Sequence, residues 1–159
     1  MEQDTLHVGG RQIDLAHLES IVLKNQSVTE AVMIGVPDDA GGTTIVCFAR
    51  LKPDEKPRET LKEALRLLIE RELGGHQFTP REIVFVRDLP HTQDDRTKRK
   101  IVRDVYSGSN NLDLSGLDNP AVVEELRRAL QYSRVRQAIT YFAESVLKES
   151  EKKPKTNKR

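Results

Sequence analysis

Two apolar runs constrain this chain more than anything else in it. From Val28 to Val36, Val28, Ala31, Val32, Ile34 and Val36 crowd into nine positions, and Thr43 to Leu51 repeats the pattern. Both read as buried strands. The segment between them, Pro37-Asp38-Asp39-Ala40-Gly41-Gly42, is a turn by composition, so the second strand pairs back on the first as a hairpin. Whatever else folds has to cover it.

The cover is written on either side. Leu15, Leu18, Ile21 and Val22 recur at helical spacing after Asp14, an N-cap residue by type. Arg58 to Leu73 carries Leu61, Leu65, Leu68 and Ile69 on one face and ends at Gly74-Gly75. Ahead of the first helix, Thr5–Val8 and Gln12–Ile13 flank Gly9-Gly10-Arg11 as a short glycine hairpin. Ile83 to Val86 is a further short strand. Strands and helices mixed in this way predict an α+β lobe with a small mixed sheet and packed helices, ending near Tyr106. A helical extension over 107–148 and a basic, disordered tail over 149–159 follow. Asp118-Asn119-Pro120 caps the first extension helix, with Val122, Val123, Leu126 and Leu130 on its apolar face. Val135, Ile139, Phe142, Val146 and Leu147 mark a second apolar stripe.

Leu89 to Tyr106 is chemically the densest stretch. A proline turn and a polar loop with Asp94 and Asp95 lead into a helix whose Ile101, Val102 and Val105 face a core. Arg96, Lys98, Arg99, Lys100 and Arg103 crowd its start and outer side. Charge alone is compatible with a solvated helix face or with a loop that handles anions.

The order Leu-Pro-His-Thr-Gln-Asp-Asp-Arg (89–96) before a basic helix resembles the last signature of the adenylate-forming enzymes, the acyl-CoA synthetases and their relatives. Two further stretches resemble the same family: Asp4 to Glu19, matched position by position to the start of its C-terminal lobe, and Val28 to Asp38, matched to its next strand and turn. Tyr106 to Pro120 is similar to an extension found on acetate- and medium-chain-type synthetases. The resemblance implies the small lobe of an AMP-forming ligase, which swings between an adenylation pose and a thioester pose against a large N-terminal lobe. It places Arg96 where the family has a catalytic lysine, with Lys98 as the nearest ammonium. It also places Gly9, Gly10 and Arg11 at the turn beside the pantetheine tunnel. ATP and coenzyme A would be bound through the partner lobe and not by this chain alone.

Three departures stand out. Gln3 occupies the hinge acid's place, Gln12 that of an arginine, and Arg96 that of the lysine. A guanidinium keeps the charge but not the compact shape of an ammonium. Asp94 and Asp95 add negative charge where an adenylate would approach, each costing on the order of 4 kcal/mol at about 4 Å and an effective dielectric near 20. His91 stands at the signature's first lysine and Cys47 in mid-strand, a small core residue.

The expected function is therefore a separately encoded C-terminal lobe, half of a split cytoplasmic ligase of fatty acid or acetate metabolism. It would complete or regulate carboxylate activation by an adenylating lobe on another chain and be inactive by itself. The alternative is a catalytically inactive protein-interaction module. A net charge of +1 and 4% aromatic residues argue against nucleic acid. The four histidines form no ligand cluster, so no metal is expected, and no run is long enough to span a membrane. The extension's stripes can pack on the lobe, dock a partner or pair in a homodimer.

Overall fold

The computed structural model describes residues 4–152. A two-stranded antiparallel hairpin, β1 (Thr5–Val8) and β2 (Arg11–Asp14), opens the chain and leads into α1 (Leu15–Val22). The two apolar runs form β3 (Val28–Pro37) and β4 (Thr43–Leu51), antiparallel from Pro37↔Thr43 to Val28↔Leu51. After α2 (Glu59–Leu73), β5 (Glu82–Val86) joins β4 in parallel, giving a mixed sheet of order β3-β4-β5. Two helices complete the described chain, α3 (Asp95–Tyr106) and α4 (Val122–Lys152).

Both faces of the sheet are buried, and period-two alternation divides its residues between them. Ala31, Met33, Ile45, Cys47 and Ile83 point to one side and pack on α1 and α2. Val32, Ile34, Val46, Phe48 and Val84 point to the other, against α3 and the start of α4. That double burial is why the strands read as continuous apolar runs. The small hairpin is fastened to the sheet by Leu6 over Gly35. A Cβ on Gly35 would lie 2.5 Å from Leu6 Cδ2, so a side chain there would have to displace Leu6.

Local chemistry departs from the sequence reading in two places. Asp14 stands at the start of α1, but its carboxylate accepts a hydrogen bond from Thr5 Oγ1 (2.9 Å) and makes no cap. The extension holds one continuous helix of 31 residues where two were expected, and its helical geometry runs through Glu149 to Lys152 into the segment expected to be disordered. The remainder of the basic tail lies outside the described residues. Gly74, at φ +71°, ends α2 in the left-handed conformation expected of a C-terminal glycine.

Candidate functional site

Asp94 precedes α3 in extended conformation. Its Oδ1 accepts from the Thr97 amide (2.7 Å) and its Oδ2 from the Thr97 hydroxyl (3.0 Å). Those bonds, with the nearby Arg96 charge, hold its carboxyl below the usual value. Asp94 is thus a helix cap, and its charge is directed at orphan amides rather than at an incoming ligand. Asp95 begins the helix itself.

Arg96 follows in the first turn, more than half exposed, with Nε 3.5 Å from Asp4 Oδ2. Lys98 turns the other way. Its ammonium is 2.7 Å from Glu30 on β3, with both side chains largely buried, so it is committed to an ion pair within the lobe.

Arg99 overturns its sequence assignment to the outer side of the helix, because it is 3% exposed. Its Nε and Nη2 grip both oxygens of Glu19 (3.0 and 2.8 Å), and Nη1 reaches Asp4 Oδ1 (2.8 Å). Glu19 Oε2 also accepts from the Met33 amide. Burial disfavours the charge on Arg99, but the hydrogen bonds and charges of Glu19 and Asp4 outweigh it and raise its pKa. This hub ties α1, α3, β3 and the root of β1 together, and through Asp4 it sets where Arg96 stands. An arginine among other cations gives no sequence sign of burial.

Gly9, Gly10 and Arg11 share one exposed turn. Gly9 and Gly10 have φ of +58° and +79°, and the space above Gly10 is open. Arg11 lies over the Phe78 ring (5.3 Å) and donates to Gln77 Oε1 (2.8 Å). The structure does not bring this turn and Arg96 together. Asp4, beside Arg96, roots β1; the glycine turn caps its far end, four strand residues or about 13 Å away.

A third feature went unread in the sequence. Asn119, in the extension, accepts from the His91 amide (2.7 Å) and donates to Leu89 O (3.0 Å) and Asp88 Oδ2 (3.2 Å). The Asp118 amide adds a bond to His91 O (2.9 Å). The loop that delivers Arg96 is therefore latched by a residue that was read only as part of a helix start. His91 is half-exposed, with Nε2 3.2 Å from Asp88 Oδ1. Among the described residues Glu30, Asp88 and His91 could converge on a cation, but Lys98 and Arg50 already face that cluster.

Comparison with known proteins places this geometry. Residues 17–96 match the model of the AMP-binding enzyme C-terminal domain, a match that covers half of the chain and ends at Arg96. The chain belongs to that family. It is 33% identical over 132 residues to acetyl-coenzyme A synthetase of Rubrobacter xylanophilus, covering 82% of this chain and 20% of that protein. It is 30% identical over 131 residues to acetyl-coenzyme A synthetase 2 of Debaryomyces hansenii, covering 76% and 19%. The chain thus spans about a fifth of the length of the curated relatives it matches. Among solved structures, an acyl-CoA synthetase of Brucella canis superposes with a TM-score of 0.52 at 33% identity, over 58% of this chain and 17% of the other. The acetoacetyl-CoA synthetase of Streptomyces lividans superposes with a TM-score of 0.62, over 84% of this chain and 19% of the other. At 19% identity that likeness speaks for the fold. No described helix is long and apolar enough to cross a membrane.

Proposed function

We propose that this chain is the swinging small lobe of a split AMP-forming acyl-CoA ligase in a reducing cytoplasm, working with an adenylating large lobe on another chain. ATP, the carboxylate and coenzyme A are gathered by that large lobe. This chain supplies Arg96 to the adenylation pose and the Gly9-Gly10-Arg11 turn to the thioester pose. The reading is carried by the separation of the two groups at opposite ends of one hairpin fixed to the sheet. A lobe that serves two half-reactions by turning needs two working ends. Arg96 contributes a planar, permanently charged guanidinium that can hold a phosphate or carboxylate oxygen pair. Acetate is the first substrate to try, because the curated relatives are acetyl-coenzyme A synthetases.

The test is to purify the chain with its native partners and assay the complex for pyrophosphate exchange and for thioester formation with acetate. Arg96→Ala should abolish exchange, and Gly10→Leu should spare exchange while suppressing thioester formation. Loss of both half-reactions in both variants would refute the two-ended reading.

A second reading is favoured by Lys98, whose engagement with Glu30 leaves the lobe without an ammonium at the family's catalytic position. The lobe would then stabilise or regulate its partner without contributing chemistry. Arg96→Lys combined with Asp95→Gly separates the two. A large gain in ligase activity means that a working site is reached; an unchanged rate means that the role is structural.

A further inference from the structure

Helix α4 changes its apolar face midway. At about 100° per residue, Val122, Val123, Leu126, Leu130 and Ser133 lie on one side of the helix, and all five are buried against the lobe. Val135, Ile139, Phe142 and Val146 fall about 180° round from them. They are 51%, 61%, 69% and 51% exposed. Ser133 is the last buried residue of α4, and from Arg134 to Glu151 every residue but Ser145 is exposed. Eighteen residues, or about 27 Å of helix, therefore run on with their apolar stripe exposed. Bending the helix down onto the lobe would bury the wrong side.

The stripe has the spacing of a coiled-coil seam. Tyr132, Val135, Ile139, Phe142 and Val146 follow one another at spacings of three, four, three and four, and small residues (Ala138, Ala143, Ser145) flank the line and leave room for a second backbone. A free helix of this length is marginal in water, so a partner for the seam also stabilises the helix.

We propose that the seam pairs with the same seam of a second copy of this chain, antiparallel. Charge complementarity argues for this partner and this direction. Residues 134–142 carry two cations (Arg134, which also bonds the Tyr106 carbonyl, and Arg136) and no acid, whereas 143–152 carry three acids (Glu144, Glu149, Glu151) and two lysines (Lys148, Lys152). Antiparallel self-pairing sets the basic half of each helix against the acidic half of the other; parallel pairing sets like against like. The same register stacks Val135 on Val146 and Ile139 on Phe142, so the four central layers of the dimer are filled by apolar side chains, and it sets Tyr132 at each end beside Glu149. This inference does not depend on the catalytic reading above.

Sedimentation of the full 159-residue chain across micromolar concentrations should reveal a species of twice the chain mass. Ile139→Glu with Phe142→Glu should weaken self-association by about tenfold or more while the denaturation midpoint of the lobe stays in place, both positions being exposed. A monomer at every concentration, including one whose seam is reserved for another protein, overturns the proposal, and so does a dimer that survives the double substitution. Direction is read separately, with Val135→Cys and Val146→Cys as single variants. Under oxidation their mixture should form disulfide-linked dimers that neither forms alone; equal cross-linking of each variant by itself would mean parallel pairing and overturn the register. The native Cys47 is fully buried and stays silent.

Discussion

Ser133 donates its hydroxyl to Glu82 at 3.1 Å, joining the last buried position of α4 to the first residue of β5. The other Glu82 oxygen accepts from Tyr106 Oη (3.0 Å), which in turn accepts from Arg81 (2.9 Å). Arg134 closes the circuit, with its guanidinium 5.1 Å from the centre of the Tyr106 ring and a bond to the Tyr106 carbonyl (3.0 Å). The extension is thus joined to the lobe by a buried carboxylate as well as by leucines. Ser133→Ala should cost about 1–3 kcal/mol in chemical denaturation, since a buried acceptor loses a donor. A combined Ser133→Ala and Glu82→Gln variant should be less than additive, because the two share one interaction.

Arg99 is the most consequential single side chain. Arg99→Met removes the partner of a Glu19 carboxylate that is itself 13% exposed. A loss on the order of 3–5 kcal/mol is expected, as for other broken buried pairs. Arg99→Lys should recover only part of it, since an ammonium cannot grip both oxygens of Glu19 and reach Asp4 as well. Urea unfolding of the two variants gives the comparison.

Asn119→Ala should loosen the loop at Asp88–His91 without disturbing the sheet. The expected result is faster hydrogen exchange at the His91 amide, with the amides of β3 and β4 unchanged. If the loop prepares Arg96 for catalysis, the same substitution lowers the exchange activity of the assembled ligase and leaves thioester formation from supplied adenylate intact.

Cys47 gives the chain an alkaline limit. Burial, reinforced by the charge of Glu19 and opposed by Arg66, pushes its thiol up to about 12 from an ordinary 9.0. The folded value lies above the unfolded one, so this group's contribution is whole below pH 9 and is lost as the pH rises towards 12. The slope from this residue is about 1.4 kcal/mol per pH unit in that window. Unfolding free energies of the protein and of Cys47→Ala, followed above pH 9, should converge. Thiol reagents at neutral pH should leave Cys47 untouched until the sheet opens.

Much of the fold was legible because the sheet is buried on both faces. Val28 to Val36 and Thr43 to Leu51 could only be core strands, and the observed elements match those bounds to within a residue. Long-range electrostatics were not legible. Lys98 meets Glu30 across 68 positions and Arg99 meets Glu19 across 80, and nothing local marks either cation as spoken for. The continuity of α4 was missed for a different reason. A stripe that jumps half a turn between Leu130 and Val135 looks like the end of one helix and the start of another, yet backbone hydrogen bonding is indifferent to which face is greasy. Around the candidate site, the motif spacing singled out Arg96 and the glycine turn as expectations, while the Asn119 latch depended on a chain path that no local pattern encodes.

The hairpin between Asp4 and Gly10 sets a mechanical limit. Its length is fixed by four paired residues on each strand, and its flank is pinned where Leu6 sits on Gly35. No flexing of the lobe can draw its two ends onto a common point. A ligand that both ends were to serve would have to meet them in succession, as the body turned as a whole.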